Sequence, residues 1–470
     1  MHALLTYLRR YRDSRKHVRP WALAVPILVL LICLPLLRPL RHADPRQISD
    51  HEIARLATVQ AMVERGTLAL DFDTFQPEQN VIEVREEFYA DQPPVFSALL
   101  ASAYWSMHRL DVTFATHPAL VTYLLTVLGT TLPAAGIAGL VYRMGRLFEL
   151  PRIWRTALAA VVVFGGGVLA YATVLNEHVP AAALVMSSAA CLVHIALIKR
   201  RLSASVWLTL AGFCAALAMT VDLTAAAFAP LLGGVVLALP WSRLTRAGAL
   251  LLYILGMVPP ILLHLALTIP VTGDWRPGNL HPELAAPLAL APYDAFDSDD
   301  WDDDLTDNGY GTLVLRSLIR VGDTLFGGNG LLSHFPILIL GALGISMVMH
   351  RHWPNSTKML AVASAAAAIG VIVLAAIDQP GDPGYASRWF VVVMPMLTFW
   401  IGAWLRRPHR PLSWALAGIV LAFSTLITFI GATGPLPRDG FTGYTAADAF
   451  DRLITGQSPE IAPSFVAARP

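Results

Sequence analysis

The chain has 470 residues, of which 55% are hydrophobic and only 14% charged. Soluble domains carry about 25% charged residues, so this composition points to the membrane. The formal net charge of +1, without any long basic tract, speaks against nucleic acid as a partner.

At the N-terminus, Arg9, Arg10, Arg12, Arg15, Lys16 and Arg19 precede an apolar run from Trp21 to Leu37. The run is long for a secretory signal. It is followed by Arg38-Pro39-Leu40-Arg41 rather than by a small-x-small cleavage site. It is read as an uncleaved first span, behind a basic cytoplasmic segment at 1–19. A spanning helix needs about 20 mostly apolar residues. The predicted spans are 20–37, 118–142, 156–175, 179–198, 205–221, 223–240, 247–270, 329–349, 358–377, 389–405 and 412–431. This is an all-α polytopic membrane protein of about eleven transmembrane helices, with its transmembrane domain over 20–431.

With residues 1–19 inside, the short inner loops fall at 143–155, 199–204, 241–246, 350–357 and 406–411. They hold arginines at 143, 146, 152, 155, 200, 201, 243, 246, 351, 406, 407 and 410, and Lys199. Of the 33 carboxylates only Asp13 and Glu149 lie inside. That asymmetry is the positive-inside pattern, with the N-terminus cytoplasmic. Counting the short apolar run 94–107 as a span would invert every later loop. It is therefore read as a re-entrant or interfacial helix on the outer face. Two large outer loops remain, 38–117 and 271–328, with an outer tail at 432–470. Chemistry on such a scaffold concentrates in the loops. Cys33, Cys191 and Cys214 lie inside apolar runs, too few for a disulfide framework or a metal cluster.

In chain order, the first candidate segment is Ile48-Ser49-Asp50-His51-Glu52-Ile53-Ala54-Arg55-Leu56-Ala57. Ser49 followed by Asp50 and Glu52 signals a helix start, and Gly66 ends the apolar stripe that follows. Asp50 either caps this helix or supplies a carboxylate near the headgroup level. Next, Phe88-Tyr89-Ala90-Asp91-Gln92-Pro93-Pro94-Val95-Phe96 turns sharply into the short apolar helix. Asn176-Glu177-His178-Val179-Pro180 is a very short outer turn. An ionisable pair wedged between apolar helices is costly and marks a site, or else a solvated turn. Asp222 is a weaker candidate at the outer end of another span. The stretch 294–307 holds eight aspartates, but it lacks the glycine and closing glutamate of a calcium loop and reads as a solvated acidic segment. Last, the loop from Asp378 to Trp389 contains Tyr385 and ends in Arg388. Its guanidinium either snorkels at the interface or grips a phosphate. P-loop, dinucleotide-binding, nucleophile-elbow and zinc-protease motifs are absent from credible positions.

These segments resemble the GT-C superfamily of membrane glycosyltransferases, in particular its protein O-mannosyltransferase and aminoarabinose-transferase-like group. The likeness rests on Ser49-Asp50-His51-Glu52, on Tyr89-Ala90-Asp91-Gln92-Pro93-Pro94-Val95, on the Glu177 turn and on Gly384-Tyr385-Ala386-Ser387-Arg388-Trp389. The segment Gly327-Gly328-Asn329-Gly330-Leu331-Leu332 through Pro336 adds to it. His51 separates the two acids, and Glu177 stands where aspartate is more usual. The resemblance implies a bacterial inner-membrane enzyme that moves a sugar from a polyprenyl-phosphate lipid donor to a lipid, glycan or protein acceptor, with inversion. Asp50 and Glu52 would be catalytic. Asp91, Glu177, His178, Tyr385 and Arg388 would bind substrate. A divalent cation held by Glu52 and Glu177 is left open. The competing readings are a transporter or flippase of lipid-linked sugar, a polymer ligase, or a non-catalytic membrane protein. A transporter needs polar residues deep in several spans, and the apolar runs here are nearly free of charge.

Overall fold

The computed structural model describes residues 19–37, 49–72, 74, 75, 77, 80–197, 204–241, 244–285, 310–327, 330–377 and 388–432. The basic segment up to residue 18, the aspartate-rich stretch 294–307, Tyr385 and nearly all of the C-terminal tail lie outside the described residues.

The chain is a helical bundle. Its helices are α1 (Arg19–Leu36), α2 (Asp50–Gln60), α3 (Pro94–His108), α4 (Pro118–Phe148), α5 (Arg152–Phe164), α6 (His178–Leu197) and α7 (Ala204–Val221). They continue as α8 (Phe228–Ala238), α9 (Arg246–Thr272), α10 (Tyr310–Phe326), α11 (Leu338–Met349), α12 (Asn355–Ile377), α13 (Met394–Leu405) and α14 (Pro411–Gly431). Among the described residues six helices are long and apolar enough to cross a membrane: α4, α6, α7, α9, α12 and α14. A seventh arises if Leu318–His334 and Leu338–Met349, bent by 91°, count together. Trp21–Leu36, Leu223–Ala238 and Met394–Leu405 are apolar but shorter. The protein is thus a multi-pass membrane protein, and among the described residues its apolar helices are a mixture of full-length, short and broken ones.

The clearest departure is at 156–175. A continuous span was expected; α5 stops at Phe164, and Gly165-Gly166-Gly167 breaks the chain, with Gly167 at φ +71°. One helical turn, Val168–Tyr171, follows, and then an irregular segment to Glu177. Hydropathy cannot see this break, because residues 168–175 are as apolar and as buried as a span. Irregular backbone at such a depth is tolerated only inside protein, with its polar groups satisfied. Asn176 does part of this: its amide donates to the Tyr171 and Val174 carbonyls at 2.6 and 2.9 Å, and its oxygen caps the Val179 N–H at 3.0 Å. In α4, Pro133 cannot donate a backbone hydrogen bond, and the π turn Val127–Thr131 lies directly before it.

Close helix contacts depend on small residues, as expected where lipid gives no hydrophobic drive between helices. On α7, a Cβ added at Gly212 would sit 1.8 Å from the Tyr253 carbonyl oxygen of α9. On α9, a Cβ at Gly256 would sit 2.0 Å from the Thr209 carbonyl oxygen of α7. The two backbones touch through both glycines.

The first loop holds more structure than its sequence pattern signals. Strands β1 (Val81–Val84) and β2 (Glu87–Ala90) form an antiparallel hairpin with Val84 paired to Glu87. Its two-residue turn is Arg85-Glu86, with φ of +55° and +67°. Such a turn favours Asn-Gly, and neither residue here advertises it. Replacing Arg85-Glu86 by Asn-Gly should stabilise the fold by about 1 kcal/mol, read as a higher unfolding temperature in detergent. An unchanged or lower temperature would contradict the strain. Segment 273–285 covers this hairpin: Asn279 N–H donates to the Asp91 carbonyl at 2.7 Å, and Ala285 bridges to Ile82. The expected helix at 94–107 is present as α3, lying against α2, α9 and α7.

Candidate active site

Helix α2 begins where the sequence signals it. Ser49 and Glu52 form a capping box. Glu52 accepts from the Ser49 hydroxyl at 3.0 Å, and its other oxygen accepts from the Leu175 N–H at 3.0 Å. Glu52 is therefore buried and staples α2 to the irregular segment that carries Glu177. Asp50 is the first residue of α2, and its side chain lies outside the described residues.

That staple brings a cluster of charges together. Arg55, one turn beyond His51 on α2, is fully buried. It donates to Glu177 at 2.7 Å. His51 Nε2 lies 3.2 Å from the other Glu177 oxygen, and His178 Nε2 lies 3.7 Å from it. His178 Nδ1 is 2.6 Å from Asp222, whose other oxygen caps Thr224 N–H at 2.9 Å. Arg55 also sits over the Phe96 ring of α3, 4.8 Å from its centroid. Gln92 ties the Pro-Pro corner to α2 by donating to the His51 carbonyl at 2.9 Å. Arg388, in the 3-10 turn Arg388–Val392, is near enough to act on Asp91, His51 and His178.

Of the expected binding residues, Asp91, Glu177, His178 and Arg388 converge here. The turn at 176–180 is buried, not solvated. Asp222, a weaker candidate by sequence, joins them through His178. Arg55 was not singled out by sequence. The signal that could have found it is its helical spacing: His51 and Arg55 are four residues apart, on one face of α2.

The electrostatics follow from burial and pairing. Burial alone would raise the Glu177 carboxyl. His51 and Arg55, with His178 beyond them, outweigh it and hold Glu177 well below the usual carboxylate range. Burial pushes His51 below its ordinary value, against the opposing pull of Glu177. Asp91 moves the other way: burial, reinforced by the charge of Glu177, raises it to about 6, against partial relief from Arg388 and Arg55. Linkage then gives two limbs. Glu177 contributes stability that is lost as pH falls below the ordinary carboxylate range toward its depressed value. Asp91 holds its proton more tightly when folded, so its contribution is lost as pH rises through about 6. Asp91 therefore adds a decline in the unfolding temperature in detergent between pH 5 and pH 7, set against the opposite trend from His51, and Asp91→Asn should remove that added decline. A decline unchanged in the variant would assign it to another group.

Several polar atoms of the cluster are buried without a hydrogen-bond partner among the described residues: Arg55 Nε and Nη1, His51 Nδ1, Asp91 Oδ1, Gln92 Oε1 and His178 Nε2. Buried polar groups are normally satisfied, so this set is suited to a polar ligand or water. Among the described residues no group of three or more His, Cys, Asp or Glu side chains is placed to hold a metal ion. Glu52 and Glu177, the acids expected to do so, are already engaged by backbone and guanidinium donors.

No protein-family model matches the sequence, and no curated protein is significantly similar to it. Solved structures do match its fold. The archaeal oligosaccharyltransferase AglB from Archaeoglobus fulgidus, in complex with an inhibitory peptide and a dolichol-phosphate, is 14% identical with a TM-score of 0.53, over 95% of this chain and 59% of that one. The Archaeoglobus fulgidus oligosaccharyltransferase in the apo form is 13% identical with a TM-score of 0.51, over 90% of this chain and 57% of that one. ArnT from Cupriavidus metallidurans bound to undecaprenyl phosphate is 16% identical with a TM-score of 0.45, over 85% and 62%. The chain thus spans about three fifths of the length of each. Its polytopic helical architecture is the fold it shares with these two oligosaccharyltransferase structures.

Proposed function

We propose that this protein transfers a sugar from a polyprenyl-phosphate lipid to an acceptor at the non-cytoplasmic membrane surface, with inversion at the anomeric carbon. The observation that carries the reading is Arg55: a fully buried guanidinium, fixed at one end by Glu177 and with two N–H groups still unpartnered. A guanidinium held this way suits a phosphate oxygen. The GT-C fold supports the same reading, as does the dolichol-phosphate that AglB binds.

In the proposed displacement, the acceptor oxygen forms a bond to the anomeric carbon as the bond from that carbon to the lipid phosphate breaks. The phosphate leaves with the electron pair, and Arg55 and Arg388 offset its growing charge. The acceptor proton passes to Asp50, at the start of α2, five residues before Arg55. Glu177 and His51 position Arg55, and Asp222 holds His178 in place. No step is routed through a divalent ion.

The test is transfer of radiolabelled sugar from polyprenyl-phosphate donors in proteoliposomes, wild type beside Asp50→Asn. We expect transfer by the wild type and at least a hundredfold loss in the variant. Equal activity in both would keep a transferase and discard Asp50. No transfer with any donor would remove the proposal.

A further inference from the structure

The end of the bundle away from the charge cluster contains a second buried cation. Arg155, in the first turn of α5, is 6% exposed, and its guanidinium lies over the Tyr142 ring at 4.7 Å. Its stem occupies the notch beside Gly145, where a Cβ would sit 2.9 Å from Arg155 Cγ. Arg155 Nε and the Tyr142 hydroxyl are buried with no hydrogen-bond partner among the described residues. Arg146 and Arg152 are near enough to act on the same charge, and both are positive. Glu149 does not relieve them, because it is taken by Arg406 at 2.7 Å. A buried charge without a counter-charge is destabilising, so Arg155, acted on by two further positive side chains, calls for an anion.

The surroundings indicate where that anion comes from. Trp154, next to Arg155 and 38% exposed, lies 5.5 Å from Trp414. Trp414 is 4.8 Å from Trp404, which stacks on His409 at 4.0 Å. Tryptophans gathered at one end of a bundle mark the headgroup level of a membrane. Ile153, 64% exposed beside them, gives an apolar flank to the same spot.

We propose that Arg155, with Arg146 and Arg152, forms a site for the phosphodiester of an anionic phospholipid. The guanidinium donors grip the phosphate oxygens, and the Trp154–Ile153 flank takes the start of an acyl chain. The site is remote from the charge cluster and independent of the proposed transfer reaction.

Native mass spectrometry of the full chain in neutral detergent tests it, with palmitoyl-oleoyl phosphatidylglycerol beside phosphatidylcholine. We expect one phosphatidylglycerol retained per wild-type chain and no phosphatidylcholine. Arg155→Gln should weaken retention at least tenfold, a factor within reach of one lost charge-assisted contact. Arg146→Gln/Arg152→Gln, on partly exposed positions, should weaken it too and covers the case where Arg155→Gln does not fold. Phosphatidylglycerol should also raise the unfolding temperature by about 3 °C. Equal retention of the two lipids, or retention unaffected in the double variant, would overturn the proposal. So would inorganic phosphate giving the full thermal shift by itself, which would make this a free-anion site.

Discussion

Glu177→Gln should cost about 3–5 kcal/mol of stability and abolish transfer, because it leaves the fully buried Arg55 without its counter-charge. The loss is expected to exceed the worth of the ion pair itself. Forming the pair desolvates two ions and gains back their attraction; removing one partner leaves only the cost. The comparison that separates these is Arg55→Met/Glu177→Leu, which replaces both charges by apolar groups of similar size. Its unfolding temperature should return close to that of the wild type. Its transfer activity should not return, because the guanidinium proposed to meet the lipid phosphate is gone. Unfolding in detergent and transfer in proteoliposomes, on the same three proteins, check both halves. A stable, active Glu177→Gln protein would show that Arg55 does not depend on this carboxylate. A double variant as unstable as the single one would place the energy in packing against Phe96 instead.

The second large effect belongs to the membrane-spanning core. Gly256→Val should destabilise the bundle by roughly 3 kcal/mol or more, the upper range for overpacking, because the atom met is backbone and cannot rotate away. The Cβ of any larger residue would lie 2.0 Å from the Thr209 carbonyl oxygen, so α7 and α9 would have to separate. Separation would also undo the reciprocal contact at Gly212. Gly273, also a glycine of this region, serves as the control: it has open space around its Cβ position and ends α9 at φ +84°. Gly273→Asn should cost far less, since asparagine tolerates that conformation. Size-exclusion profiles and unfolding temperatures would read both. Wild-type behaviour of Gly256→Val would mean that the two helices have room to slide.

Both effects involve residues that differ in how far they can be read without a structure. The apolar runs, the charge asymmetry and the helix start at Ser49 follow from local chemistry, and the helix start is present where it was expected. So is the short helix after the Pro-Pro corner, because proline geometry acts on its immediate neighbours. The convergence of Asp91, Glu177, His178 and Arg388 was anticipated only as a resemblance, since their separation along the chain carries no distance information.

The rest was decided by tertiary structure. Residues 168–175 are apolar enough for a helix, yet they form a buried irregular segment. Three glycines release the chain there, and Glu52, far away in sequence, receives the Leu175 N–H. Arg55 looked like one more basic residue in an outer loop; it became a buried centre because that same segment delivers Glu177 to it. Arg85-Glu86 adopt a turn their own preferences oppose, held by the strand pairing on both sides and by segment 273–285. Hydropathy and local conformational preference thus determined that this chain enters the membrane and where most helices run. Which polar groups meet inside it was settled by long-range hydrogen bonds and charge pairing, which no local pattern encodes.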